Sequence, residues 1–76
     1  MTKSFIAIST EYITLDAFLK WVSVVQSGGE AKTLIASGAI TVNGEPEVRR
    51  GRKLRPGDRV QCPDGSVFEI TEGEGG

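Results

Sequence analysis

Six of the chain's nine Lys and Arg residues lie within eleven positions, 49–59, called here the basic segment. With Asp58 counted, this segment carries five net positive charges, whereas the other 65 residues carry six net negative charges. Clustered cations attract phosphate groups through counterion release and long-range steering. Five of the six cations are Arg, whose guanidinium can bind phosphate in bidentate geometry or stack on an exposed base. The segment therefore predicts a polyanionic partner.

The sequence offers little for catalysis or metal binding. It contains no His, the commonest general base and metal ligand near neutral pH, and its lone Cys62 can form no internal disulfide. We interpret Cys62 as a half-buried strand residue rather than a nucleophile, because no His is present to activate it. We therefore expect a non-enzymatic protein with no catalytic residue, metal, cofactor or small-molecule substrate.

The length and hydropathy bound the class of protein. A chain of 76 residues is one domain with a small core, since a chain this short buries only about 60% of its unfolded surface. No apolar run approaches the roughly 18 residues of a membrane span or the pattern of a signal peptide. We expect a cytoplasmic monomer with no membrane partner.

The first helix is predicted from position 14. Thr14 stands where a helix N-cap is expected, and Asp16 follows in the first turn, where a carboxylate favours the helix dipole. Trp21 falls on the flank of the apolar face, where peripheral packing is favoured over base stacking. Apolar residues recur at i, i+3, i+4 and i+7 on this helix: Leu15, Phe18, Leu19 and Val22.

A second helix begins after Ser27, which forms a capping box with Glu30, and ends at Gly38. Its inward face is expected to carry Ala31, Leu34 and Ile35, whereas Lys32 lies on a flank where it can stay solvated and point at a docked partner. The N-terminus at Ser27 and Gly28 could also hold a phosphate. We favour the capping role, because Glu30 occupies the same turn.

The second half of the sequence predicts a small antiparallel sheet. Asn43-Gly44 is a tight-turn signal after the strand around Ile40 and Val42. The basic segment should be an irregular or edge stretch held down by Val48 and Leu54. Further strands are predicted over 4–9, 59–62 and 66–70, and residues 71–76 are expected to form a disordered tail beyond a single domain over 1–70.

The order of these elements resembles the S4 domain, an RNA-binding module found in a ribosomal protein, pseudouridine synthases and tyrosyl-tRNA synthetases. The resemblance spans 14–60. It is carried by Thr14-Leu15-Asp16, Ser27 to Ala31, Leu34-Ile35, Gly38, Val42-Asn43-Gly44 and Gly57-Asp58. More closely, residues 26–32 taken together with 49–54 resemble small stand-alone bacterial proteins of the YaaA and YbcJ type.

The resemblance implies an α+β fold of the S4-like (alpha-L) kind, with two short helices packed on a small antiparallel sheet. It also implies docking on structured RNA, with ribosomal RNA the natural candidate and a role in ribosome assembly or translation. Many S4 domains carry Arg at two positions where this chain has Thr14 and Gly28. More of the RNA binding should therefore rest on the basic segment. The expected RNA-binding residues are Arg49, Arg50, Arg52, Lys53, Lys32, Ser27, Gly28 and Asn43.

Three other interpretations remain open from the sequence. The final Gly75-Gly76 is also found in ubiquitin-like sulfur carriers, which have a β-grasp sheet, although two helices precede the hairpin here and Glu72 and Glu74 interrupt the tail. A protein-binding adaptor is a second alternative. The third is that the basic segment is a solvated edge strand, protected by its charge from aggregation.

Overall fold

The computed structural model describes residues 2–73, which form two helices and seven strands in an α+β arrangement, as predicted. The helices are α1 (Leu15–Trp21) and α2 (Gly28–Ala36), and they pack against each other. The strands, in chain order, are β1 (Thr2–Ile8), β2 (Ile13–Thr14), β3 (Thr41–Val42), β4 (Glu45–Pro46), β5 (Lys53–Leu54), β6 (Arg59–Gln61) and β7 (Ser66–Glu72).

The main sheet has five strands in the order β1-β7-β6-β3-β4, and β2 and β5 form a separate antiparallel pair. The antiparallel pairing predicted for the second half of the chain is confirmed, since β3–β4, β3–β6 and β6–β7 are antiparallel. The small antiparallel sheet is nevertheless part of a mixed sheet, because β1 pairs with β7 in parallel. The parallel pairing is possible because a long stretch of chain connects β1 to β7. Parallel neighbours need a long crossover, and the chain between β1 and β7 contains both helices and all the other strands.

The end of β7 differs from the expected disordered tail. Thr71 and Glu72 pair with the end of β1, in register with Ala7 and Ile8. The Gly73 amide then donates to the Ile8 carbonyl at 2.7 Å. These hydrogen bonds anchor a stretch that has no core side chain of its own. The rest of the predicted tail, 74–76, lies outside the described residues.

The start and end of α2 follow the predicted local chemistry. The Ser27 hydroxyl accepts a hydrogen bond from the Glu30 amide at 3.2 Å, and Glu30 Oε1 accepts one from the Gln26 amide, one residue before the cap. Gly38 follows the helix with a φ of 78°, the left-handed conformation that favours glycine. Ala31 and Ile35 are fully buried, and Leu34 packs at the edge of the core.

The start of α1 is built differently from the prediction. Thr14 occupies the N-cap position, but its side chain makes no capping hydrogen bond. The first two helical amides, of Leu15 and Asp16, instead donate to the carbonyls of Arg52 at 2.8 Å and Arg50 at 3.2 Å. Because these carbonyls satisfy amides that a helix leaves unpaired, α1 holds the backbone of the basic segment in place.

The core lies between the helices and the main sheet. Phe18 of α1 meets Phe68 of β7 edge to face, with the ring centroids 5.5 Å apart. Val48 is 57% exposed, which corrects the expectation that it anchors the basic segment; Leu54 does so and is fully buried. The buried apolar residues of the core are Ile8, Leu15, Phe18, Leu19, Val25, Ala31, Ile35, Ile40, Val42, Leu54, Val60, Cys62 and Ile70.

Candidate nucleic-acid interface

The basic segment folds as two turns on either side of β5. The first turn is closed by the Arg52 amide donating to the Arg49 carbonyl, and the second by the Asp58 amide donating to the Arg55 carbonyl. An open groove, called here the basic groove, lies between them. Four of the seven residues that line it are cationic: Arg49, Gly51, Arg52, Lys53, Arg55, Pro56 and Asp58.

A buried carboxylate, Glu47, organises one wall of this groove. It is only 7% exposed. Its Oε2 accepts hydrogen bonds from the Val48 amide, the Arg49 amide and Arg49 Nε, each at 3.1 Å. Its Oε1 accepts from Arg49 Nη2 at 3.3 Å and Arg52 Nη1 at 3.0 Å. The carboxylate therefore fixes both guanidinium groups and the backbone between them.

The protonation state of Glu47 reflects these contacts. The hydrogen bond from the Arg49 side chain, followed by those from the Arg49 backbone and the Arg52 side chain, lowers the pKa of Glu47 to about 2, against the opposing effect of burial. Glu47 is thus ionised at neutral pH, and its charge offsets part of the positive charge of Arg49 and Arg52. The groove presents these arginines as positioned donors rather than as freely mobile charges.

Three other cations of the segment have no carboxylate partner among residues 2–73: Arg50, Lys53 and Arg55. All three side chains are exposed. Lys53 Nζ lies 5.1 Å from the centroid of the Tyr12 ring, and Arg55 Cζ lies 6.0 Å from it. The sixth cation, Arg59, forms an ion pair at 3.6 Å with Glu69. The cationic surface is therefore concentrated in 49–55.

Acidic residues beside the groove have structural partners. Asp58 accepts from the Arg55 amide at 2.9 Å and from Asn43 Nδ2 at 3.1 Å. Asp16 has a pKa below its usual value, chiefly through the Thr14 hydroxyl and then through the Ala17 amide and the nearby Lys20 and Arg50 charges, against the effect of burial.

The remaining predicted RNA-binding residues lie outside the basic groove. Asn43 sits at a φ of 55° in the turn, where Oδ1 accepts from the Arg59 amide at 2.9 Å while Nδ2 binds Asp58. Ser27 caps α2, and together with Gly29 it borders a separate shallow groove on the Val24 side of that helix. Gly28 and Lys32 are exposed on α2. The structure thus gathers Arg49, Arg52 and Lys53 in one groove, with Arg50 in the same turn.

Sequence reasoning missed two residues beside the groove. One is Glu47: an acid next to a basic run is ordinarily solvated, but its spacing of two and five residues from Arg49 and Arg52 is a signal for pairing with them. Tyr12 lies far from the basic segment in sequence and is brought to it by the β2–β5 pairing. No local pattern in the sequence indicates that pairing.

Several other features bear on the class of protein. Cys62 is buried, and burial, followed by the charge of Asp64, raises the pKa of its thiol to about 11. Between residues 2 and 73, no three or more His, Cys, Asp or Glu residues come together as a possible metal site. Within the same range, neither helix has the length and apolar character needed to cross a membrane.

Comparison with known proteins agrees with this architecture. Residues 6–71 match the family model described as the S4 domain. The chain is also 48% identical over 66 residues to the "Probable ribosome maturation protein RlbA" of Bacillus subtilis (strain 168), an alignment that covers 87% of this chain and 93% of that protein. The match spans both helices and extends from within β1 to within β7. The chain therefore belongs to the S4 domain family.

Proposed function

We propose that this protein is a non-enzymatic RNA-binding protein that docks on structured ribosomal RNA, or on a ribosomal particle, through the basic groove. The observation that carries the proposal is the groove itself, which concentrates cations on a chain whose other residues are net negative. Membership of the S4 domain family supports RNA as the polyanion. The similarity to a protein named for ribosome maturation supports a role in ribosome assembly and a cytoplasmic location.

In this proposal the groove positions phosphates rather than reading base sequence. Arg49 and Arg52, held by Glu47, present oriented guanidinium groups to the RNA backbone. Arg50 and Lys53 add charges with no carboxylate partner among the described side chains. Recognition by shape and phosphate spacing is typical of proteins that bind folded RNA.

The other proposed contacts extend this surface. Lys32 is exposed on α2 and available to a large ligand. Ser27 and Gly28 add a contact at the start of α2, in addition to the capping role of Ser27. Asn43 contributes at the hairpin tip, where its first role is to hold the turn. The protein acts as a monomer on its RNA.

The salt dependence of RNA affinity tests the proposal. The groove and its first turn offer five cations, Arg49, Arg50, Arg52, Lys53 and Arg55. If each meets one phosphate, log affinity should fall against log salt with a slope of about −3.5 to −4.5. Fluorescence anisotropy with a ribosomal RNA fragment, titrated at several KCl concentrations, measures this slope. A flat response would refute the electrostatic basis of the proposal.

Two substitutions with the same change in charge locate the contact. Arg50→Gln should make the slope shallower by about 0.7 to 0.9, the contribution of one phosphate. Lys3→Gln removes an equal charge from β1, outside the basic groove, and should leave the slope unchanged. Equal effects of the two substitutions would show that net charge, rather than this groove, drives binding.

A further inference from the structure

Tyr12 shares one face of the β2–β5 pair with two cations of the basic segment. Ile13 lies opposite Leu54 in this pair, and side chains alternate along a strand. Leu54 is buried and Ile13 packs against the core, so the residues on either side of them face outward. This register places Tyr12 beside Lys53 and Arg55, which matches the distances of 5.1 and 6.0 Å from the ring centroid to the two cationic groups.

The cationic groups of Lys53 and Arg55 lie over part of the Tyr12 ring, and the remainder of the ring is open to a ligand. It is 39% exposed and is not part of the core cluster. The hydrogen bond from the Thr10 hydroxyl to the Tyr12 carbonyl, at 2.8 Å, orders the backbone that carries the ring. Among the described residues, none forms a hydrogen bond with the Tyr12 hydroxyl. An ordered aromatic ring beside a cationic groove combines the two features that proteins use to bind unpaired nucleotides, a stacking surface and positive charge.

The other exposed aromatic considered from the sequence lies in different surroundings. Trp21 is 55% exposed, but no Lys or Arg lines the groove beside it, which is bordered by Phe5, Ile6, Val22 and Phe68. The nearby Lys3, whose Nζ lies 5.2 Å from the Phe5 ring centroid, is already paired with Glu69 at 3.4 Å. At Tyr12, by contrast, Lys53 and Arg55 have no carboxylate partner among the described residues, so both are free to pair with phosphates that flank a stacked base.

We propose that Tyr12, Lys53 and Arg55 form a stacking site for one unpaired nucleobase at the edge of the basic groove. The proposal rests on the proposed RNA-binding function and makes it more specific. A base within a duplex has both faces covered by its neighbours, so only a bulged, looped or terminal base can stack on the ring. The preferred ligand is therefore an RNA helix that carries an unpaired nucleotide beside its phosphate backbone, not a continuous duplex.

Two RNA hairpins with the same stem test this site, one fully paired and one with a single bulged 2-aminopurine. Binding is followed by anisotropy and by the fluorescence of the 2-aminopurine, which stacking on an aromatic ring alters. The wild type should bind the bulged hairpin about 5- to 150-fold more tightly, the range that stacking of one base provides. Tyr12→Phe should keep this preference because it keeps the ring. Tyr12→Leu should reduce the ratio of the two affinities to about 1.

Trp21→Leu is the matched control, because it removes an exposed aromatic ring outside the basic groove and should leave the preference unchanged. Circular dichroism under the conditions of the binding experiment checks that the variants are folded. If Tyr12→Leu does not fold, photocrosslinking of wild-type protein to 4-thiouridine at the bulge replaces it. The proposal expects the crosslink in the peptide that contains Tyr12.

The outcomes separate the stacking site from RNA binding itself. Salt-dependent binding of both hairpins with equal affinity would overturn the stacking site and leave the proposed function intact. A preference that survives Tyr12→Leu, or a crosslink that maps away from Tyr12, would also overturn it. Failure to bind either hairpin or any ribosomal RNA would refute the proposed function, on which the stacking site depends.

Discussion

Replacing Glu47 with Gln should destabilise the fold more than its position beside a surface turn suggests. The carboxylate accepts five hydrogen bonds, three of them from guanidinium nitrogens of Arg49 and Arg52. An amide keeps the shape of the side chain but replaces one oxygen with a donor. That donor would face either the backbone amides of Val48 and Arg49 or the guanidinium groups, and a buried donor facing donors is costly.

The pKa of Glu47 gives the magnitude. Its fall from 4.5 to about 2 corresponds to about 3 kcal/mol in favour of the ionised form in the folded state. Because the Arg49 side chain is 73% exposed, water screens part of this interaction. We therefore expect Glu47→Gln to lower the free energy of unfolding by about 2 kcal/mol at pH 7. For a domain of this size the melting temperature should fall by about 8 to 16 °C.

The pH dependence identifies the cause. The folded pKa lies below the unfolded one, so the stabilisation is fully present above pH 4.5 and is lost as the pH falls towards 2. Urea unfolding at several pH values should show the difference between wild type and Glu47→Gln narrowing over this range. Glu45→Gln, an exposed neighbour on β4, should change stability by less than about 0.5 kcal/mol. A Glu47→Gln protein as stable as wild type, or a difference independent of pH, would refute this account.

Two further predictions concern the turn and the thiol. Asn43→Ala loses the hydrogen bonds to Asp58 and the Arg59 amide and places Ala at a φ of 55°, so the free energy of unfolding should fall by about 2 kcal/mol. Asn43→Gly loses the same hydrogen bonds without the backbone strain and should lower the free energy of unfolding by about 1 kcal/mol. Equal stability of wild type and Asn43→Ala in urea would contradict this role of Asn43. The pKa of Cys62 is raised to about 11 from 9.0, so its thiol should react with a disulfide reagent at pH 8 about 100-fold more slowly in the folded protein than in denaturant. The contribution of the protonated thiol to stability should be lost as the pH rises from 9 to 11. Equal reaction rates in the folded and denatured protein would show that the thiol is exposed.

The parts of the fold predictable from sequence are those set by a few neighbouring residues. Ser27 and Glu30 define the start of α2 by hydrogen bonds within one turn. Gly38 and Asn43-Gly44 mark positions where φ is positive, which glycine tolerates because it has no Cβ and which Asn adopts more readily than most residues. The location of the cationic surface is equally predictable from the sequence, because most side chains in a run of cations must stay in contact with water.

The parts that sequence did not predict depend on contacts between distant residues. The parallel β1–β7 pair joins the two ends of the chain, which no local pattern encodes. Glu47 is buried and Val48 is exposed, the reverse of what their polarity predicts, because backbone amides and the Arg49 and Arg52 side chains satisfy the buried carboxylate. Tyr12 reaches the basic groove only through the β2–β5 pair.

Crosslinking in cells shows whether the basic groove contacts ribosomal RNA. Ultraviolet crosslinking of the tagged protein, followed by sequencing of the bound RNA and mapping of the linked peptides, should recover enriched ribosomal RNA fragments attached to residues 49–55. An Arg50→Gln, Lys53→Gln double variant, which removes two cations of this surface, should lose most of that signal. Recovery of no enriched RNA, or equal recovery with the double variant, would contradict the assignment of the basic groove as a ribosomal RNA-docking surface.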